Sequence, residues 1–361
     1  MTRSTYFTPG PAELYPTTEK HFQTAFDEQL GSISHRSQKF RDIYKFTSDQ
    51  LRTLLNIPTS HGIFFLGSAS EIWERILLNC VEHESLHLVN GSFSRKFYDY
   101  ANGLNKFGHL IEKPFGEGFD ASEIEVPEYA ELICTTQNET SSGVMMQASE
   151  IHKLKKANPK KLMVVDMVSS APHPTLDFSL VDTAFFSVQK SFGLPAGLGV
   201  WIANEACLKK AENLKKSETT NIGVHHDLPT LWKNFEKYET PATPNVLLIY
   251  VLGKVAEDMN KIGIANIRKA TDDKAEFLYN FLQSSSVFST FVKQENHRSK
   301  TVVVANSEKP SADVISTIKK SNMIIGSGYG SLKDSQLRIA NFPAVSFEQV
   351  EALVKELKKI Q

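Results

Sequence analysis

The chain has 361 residues, 41% of them hydrophobic and 22% charged, with a formal net charge of −1. That length exceeds one ordinary core, so two domains are expected, and the near-zero charge offers no basic field for nucleic acid or a membrane surface. No apolar run reaches the ~18 residues of a membrane span, residues 1–5 lack the apolar core of a secretory signal, and Cys80, Cys134 and Cys207 form no CxxC pair and no even disulfide framework, so a soluble protein of a reducing cytoplasm is expected.

In chain order, short apolar runs at 63–66, 86–89, 132–135, 162–166, 183–187 and 199–202 alternate with helical patterns at 70–80, 93–104, 148–156 and 205–215. Several runs are apolar on both faces, as strands buried between helix layers are. The alternation predicts an α/β fold, a mostly parallel sheet with right-handed crossovers. After the proline-rich 240–244, a helical stretch from about 245 to 282 is broken at Gly253 and Gly263 into two helices. Strands near 291–293, 301–305, 323–326 and 336–340 then interleave with helices at 311–320 and 346–359, a smaller C-terminal α/β domain.

Ligands of such sheets collect at the carboxyl ends of the strands. The run 162–166 ends in Asp166, and Lys190 follows the run 183–187, just before a Gly/Pro-rich turn. A lysine there is expensive to bury without a task. A strand-end acid and a strand-end lysine suit pyridoxal 5′-phosphate: the lysine forms the Schiff base and the acid keeps the pyridine nitrogen protonated. Each also has a plainer reading, Asp166 as a turn cap before Ser169-Ser170 and Lys190 as an edge lysine. Gly67-Ser68-Ala69-Ser70, between a strand and a helix, offers N–H groups and a helix N-terminus to a phosphate, or merely a serine N-cap. Phe93 stacks on a ring or packs in the core; Thr140 bonds a cofactor oxygen or its own loop. His35-Arg36 suits an anion as well as solvent. Arg338 interrupts an apolar strand and needs a carboxylate, either a substrate's or a structural one. His225-His226 lacks a matching ligand cluster, so no metal is expected.

Taken together, these residues resemble the class V (fold type I) aminotransferases that use pyridoxal phosphate, nearest to the phosphoserine aminotransferase branch, over almost the whole length. Phe7-Thr8-Pro9-Gly10-Pro11 is similar to the family's opening loop near the substrate, and Ser34-His35-Arg36-Ser37 to its substrate-anion motif. Ala69 and Ser70 match the phosphate loop, Phe93 the stacking aromatic, Asn138-Glu139-Thr140 the segment whose threonine reaches the cofactor oxygen, and Gln189 a phosphate neighbour. Asp166 and Lys190 match the pyridinium partner and the Schiff-base lysine. Glu239-Thr240-Pro241 resembles a loop that reaches the other subunit's cofactor phosphate across a dimer interface, and Arg338 the arginine for the α-carboxylate. The resemblance implies a large cofactor-binding domain at 15–250, a small domain from 1–14 and 251–361, a homodimer, and amino-acid and 2-oxo-acid substrates.

Two departures bear on the substrate. The family's basic Gly-His-Arg-Ser stretch is replaced by Gly326-Ser327-Gly328-Tyr329-Gly330-Ser331-Leu332-Lys333, so half of a second clamp for phosphate is missing unless Lys333 or another residue substitutes. Glu239 stands where asparagine is usual, and a carboxylate repels phosphate, so it is expected to point away. Transfer from phosphoserine to 2-oxoglutarate is the first expectation. An alanine or serine aminotransferase using glyoxylate or pyruvate is the alternative, and a cysteine desulfurase would need a mobile loop cysteine.

Overall fold

The strands His61–Leu66 and Thr183–Ser187 are buried at every residue. Strands without a wet face require cover on both sides. The computed structural model, which describes residues 3–217, 221–225 and 227–360, supplies that cover. Seven strands form one sheet in the order His61–Leu66, Gly199–Asn204, Thr183–Ser187, Leu162–Asp166, Leu132–Thr136, Glu84–Val89 and Phe107–Glu112. Neighbouring strands are parallel except Gly199–Asn204, which runs antiparallel to both of its neighbours. Alternate side chains enter different cores, because successive Cβ atoms point to opposite faces. Ile63, Phe65, Val165 and Phe186 join one core with the helices Gln38–Leu55 and Val246–Ile262. Phe64, Leu66, Val164 and Phe185 join the other with Ala69–Cys80 and Ser92–Gly103.

A second sheet of five strands has the order Thr5–Phe7, Met323–Ser327, Gln336–Ala340, Val302–Ser307 and Phe288–Thr290. The N-terminal strand pairs in parallel with Met323–Ser327, so the start of the chain completes a sheet built from its end. A three-residue strand has no periodicity to read, and it was not expected. The strand expected at 291–293 lies instead at Phe288–Thr290, where Phe288 and Thr290 face inward and pair with Ser307 and Ala305. Helices Ile264–Ser284, Ser311–Lys319 and Phe347–Lys358 cover this sheet.

The stretch 245–282 does divide in two, but only at Gly263, whose φ of +88° favours glycine. Gly253 does not break the helix Val246–Ile262. A Cβ there would lie 2.4 Å from Thr47 Oγ1, so glycine permits close packing on Gln38–Leu55. The domain boundary expected at 250 falls inside this helix, whose buried residues belong to the large-sheet core as far as Met259. Among the described residues, no helix is long and apolar enough to cross a membrane.

Candidate active site

Leu162–Asp166 and Thr183–Ser187 are adjacent parallel strands, so their carboxyl ends leave the sheet on the same side. A cavity of about 520 Å³ opens there, within the range of small-molecule sites. Of the residues expected from sequence, Gly10, Ala69, Ser70, Phe93, Thr140, Asp166, Gln189, Lys190 and Arg338 all line it.

Lys190 is 7% exposed. Its Nζ donates to Thr140 Oγ1 at 2.9 Å and stands 5.3 Å from the Phe93 ring centre. Burial holds its pKa below the ordinary lysine value, and the nearby carboxylates of Asp166 and Glu139 oppose that shift. Gly10 reaches this side chain with φ +132°; a Cβ there would sit 2.9 Å from Lys190 Cε. Asp166 is 3% exposed. Burial raises its pKa, while the Val168 N–H, the Lys190 charge and the Trp73 indole favour the anion. Val168 N donates to Oδ1 at 2.9 Å and Trp73 Nε1 to Oδ2 at 3.2 Å. Asp166 therefore caps its turn and also faces the cavity.

Ser68, not Ser70, caps the helix Ala69–Cys80, accepting from Glu71 N at 3.1 Å. Ser70 and the first turn of that helix are left facing the cavity. Gly199 lets the loop approach the sheet, since a Cβ there would meet the Ser68 carbonyl carbon at 2.7 Å. Arg338 Nε donates to Ser327 O at 2.8 Å, and Nη1 reaches Thr140 O at 3.5 Å. Burial lowers its pKa. Among the described residues no carboxylate forms an ion pair with Arg338, which leaves its outer edge for a carboxylate ligand.

Four expected residues lie elsewhere. Glu239 accepts from Arg36 Nη1 at 2.6 Å and from Arg41 Nη2 and Nε at 2.5 and 3.0 Å. These two guanidinium groups hold its carboxyl below the usual range. His35 Nδ1 is 3.4 Å from Thr243 Oγ1. Thr240 lines a separate cleft of about 300 Å³ beside Gly67 and Gly197. His35, Arg36, Glu239 and Thr240 thus gather around one loop, outside the Lys190 cavity of their own chain. Lys333 is exposed and does not line the cavity. His226 lies outside the described residues. Among those residues no group of three or more His, Cys, Asp or Glu side chains could hold a metal. All three cysteines are buried and none lines the cavity.

Sequence reasoning missed the role of Glu139, which is fully buried. Its carboxylate accepts from Phe93 N, Ser94 N, Ser94 Oγ, Ser141 N and Ser141 Oγ at 2.7–3.3 Å. It thereby serves the open N-terminus of the helix Ser92–Gly103, whose N-cap is the side-chain-less Gly91. The available signal was that glycine, since N–H groups without a local cap need an acceptor from elsewhere. Glu139 fixes Phe93 on one side and Thr140 on the other. Trp73 was also missed, because its contact with Asp166 spans 93 residues.

Residues 118–353 match the family described as aminotransferase class-V. The chain belongs to the class-V aminotransferases. A phosphoserine aminotransferase from Cytophaga hutchinsonii is 48% identical, with a TM-score of 0.97 over 99% of both chains. A phosphoserine aminotransferase from Nocardioides sp. is 27% identical over 358 residues, 97% of this chain and 94% of the relative. An alanine–glyoxylate aminotransferase from Nostoc sp. shares the fold, with a TM-score of 0.85 over 100% of this chain and 96% of the other at 20% identity.

Class-V aminotransferases are transaminases dependent on pyridoxal 5′-phosphate, and so is this chain. The cavity fits that cofactor. A buried lysine and a buried aspartate, Lys190 and Asp166, line it together with the first turn of the helix Ala69–Cys80, a donor set that would suit an aldehyde, a ring nitrogen and a phosphate. Asn138 Oδ1, buried without a partner, belongs to a cavity-lining residue and awaits a polar group.

Proposed function

We propose that this transaminase moves the amino group of phosphoserine to 2-oxoglutarate, giving 3-phosphohydroxypyruvate and glutamate, in cytoplasmic serine biosynthesis. The observation that carries the substrate is the 48% identity along essentially the full length to the Cytophaga enzyme. The cavity agrees with an amino-acid substrate, since Arg338 lines it beside Lys190 and has no carboxylate partner among the described residues.

When bound, pyridoxal phosphate supplies an electron sink that acidifies the substrate Cα–H. Lys190 would hold the cofactor covalently and then serve as the base for the Cα proton. Its lowered pKa increases the neutral fraction near pH 7, and the Thr140 hydroxyl holds the amine in position. Asp166, oriented by Trp73 and the Val168 N–H, would hold a proton at the cofactor's pyridine nitrogen. The Arg338 guanidinium orients the α-carboxylate through two parallel N–H groups. Phe93, Ser70, Gln189 and Ala69 line the same cavity; Phe93 would cover one face of the ring, and Ser70, Gln189 and the Ala69 turn would receive the phosphate.

The working unit in this reading is a homodimer. His35, Arg36, Glu239 and Thr240 cluster outside their own chain's cavity, which is the placement required if that loop serves a second copy. Arg36 and His35 would then meet the distal anion and Thr240 the cofactor phosphate. Glu239 points to Arg36 and Arg41, which keeps its charge off the phosphate. We further propose two domains, a large one near 15–250 carried to the helix end at Ile262 and a small one from 1–14 and the remaining C-terminal residues.

A class-V enzyme passing nitrogen from alanine or serine to glyoxylate or pyruvate is the second reading, favoured by Tyr329 where a basic residue would complete a phosphate clamp. The absorption spectrum of the purified holoenzyme separates the two. Phosphoserine should bleach the yellow cofactor band and 2-oxoglutarate should restore it. Turnover of alanine with glyoxylate, without any response to phosphoserine, would overturn the first reading.

A further inference from the structure

The replaced stretch at 326–333 puts an aromatic side chain at the cavity where a second cation would complete the binding of a phosphate. Tyr329 lines the cavity and lies 5.5 Å from Phe93, ring centre to ring centre. Two cations flank its ring. Arg338 is 5.3 Å from the centre and Lys96 Nζ is 5.9 Å from it. Lys96 projects from the helix Ser92–Gly103, one turn beyond Phe93; it is exposed and does not itself line the cavity, but it stands 5.5 Å from the ring centre of Phe93, which does. Its ammonium donates to the Tyr329 hydroxyl oxygen at 3.2 Å. That bond uses a lone pair of the phenol and leaves the phenol proton free to donate.

Lys96 has no carboxylate within ion-pair distance among the described residues, unlike Arg95 beside it, which pairs with Glu112. Cation–π contact with two rings holds the ammonium over the same aromatic pair that borders Lys190 and Arg338. Tyr329 thus stands between Arg338 and Lys96, so a short substrate with its α-carboxylate on Arg338 and its far end along Tyr329 would bring that end toward Lys96 at the cavity edge. An ammonium and a phenol proton together suit a tetrahedral dianion, to which each donates a charge-assisted bond.

We propose that Lys96 and the Tyr329 hydroxyl bind the distal phosphate of the substrate from the same chain that supplies Lys190, and so replace the absent basic clamp. This rests on phosphoserine being the donor. Lys96 and Tyr329 then set the preference for a phosphorylated side chain over a neutral one, in addition to any contact from His35 and Arg36 of a second copy.

The test uses holoenzyme and the cofactor absorbance to follow the half-reaction with phosphoserine and with serine. Lys96→Ala should lower the phosphoserine-to-serine ratio of kcat/KM by about tenfold, the scale of one charge-assisted hydrogen bond. The loss should fall mainly on KM for phosphoserine, as removal of ground-state binding does. Lys96→Arg should recover most of the ratio, and Tyr329→Phe should lower it by about threefold. A ratio within twofold of wild type in both Lys96→Ala and Tyr329→Phe would overturn the proposal while leaving the donor assignment intact. A wild-type enzyme that does not react with phosphoserine would overturn the donor assignment and this inference with it.

Discussion

Glu139→Gln should destabilise the protein by about 3 kcal/mol and loosen the active site from within. The carboxylate is fully buried and accepts five hydrogen bonds, three on Oε1 and two on Oε2. An amide retains one acceptor oxygen and presents N–H donors on the other side. The less damaging orientation places the amide nitrogen on the Oε2 side, where the Ser94 hydroxyl can turn to accept but the Ser94 backbone N–H cannot. One buried N–H without a partner costs about 1–3 kcal/mol. The remaining bonds weaken by roughly 1 kcal/mol as a charged acceptor becomes neutral, and the helix Ser92–Gly103 loses an anion at its N-terminus, about 0.3–1 kcal/mol. The lower desolvation cost of an amide offsets part of this. For a chain of 361 residues the unfolding entropy is about 0.8 kcal/mol per degree, so thermal unfolding should shift down by about 4 °C. Because Phe93 and Thr140 adjoin Glu139, cofactor affinity measured by absorbance titration should fall in the same variant. An unfolding midpoint within 1 °C of wild type, with unchanged cofactor affinity, would refute the view that this carboxylate organises the site.

Three further outcomes are expected. Lys190→Ala should reduce multiple turnover by more than about 10³-fold while pyridoxal phosphate can still bind; undiminished steady-state turnover would remove Lys190 from the chemistry. If the proposed dimer forms, mixing Lys190→Ala and Arg36→Ala subunits should restore activity above that of either variant alone, because a mixed dimer would contain one cavity with its own Lys190 and a second copy's Arg36; no recovery after verified subunit exchange would mean that Arg36 does not act across an interface. Lys274 is buried against the carbonyls of Phe342 and Val345 at 3.1 and 2.6 Å, and burial pushes its pKa down to about 8. Between about pH 8 and the ordinary lysine value the folded state holds fewer protons there than the unfolded state, so this burial costs stability at low pH and the cost is relieved as pH rises through that window. The stability of wild type relative to Lys274→Met should therefore rise by about 2 kcal/mol from pH 8 to pH 10 in chemical denaturation; a pH-independent difference would refute it.

Much of the large sheet was legible because its strands carry their own signal. Runs such as 162–166 and 183–187 are apolar on both faces, and their bounds agree with the observed strands. The C-terminal strand at 336–340 was equally readable. The strand Thr5–Phe7 was not, since three residues hold no period and its partner, Met323–Ser327, is more than 300 positions away. Gly253 misled for a related reason. A glycine weakens an isolated helix, but here tertiary packing against Thr47 is what selects it.

The sequence by itself determined the class of chemistry, a transaminase dependent on pyridoxal phosphate, and pointed to one end of the large sheet. Lys190 and Asp166 stand at strand ends because adjacent parallel strands deliver their termini to one edge, a consequence of local pattern and topology rules. Tertiary structure alone decided what surrounds them. Glu139 reaches back across some 45 residues to an uncapped helix, Trp73 crosses 93 residues to Asp166, and Lys96 meets Tyr329 across 233. It also decided which charges are already committed, with Glu239 taken by Arg36 and Arg41 and Arg338 left without a carboxylate partner among the described residues. Periodicity reports which face of an element is buried, but not which distant side chain satisfies a buried charge, because that depends on how the elements pack.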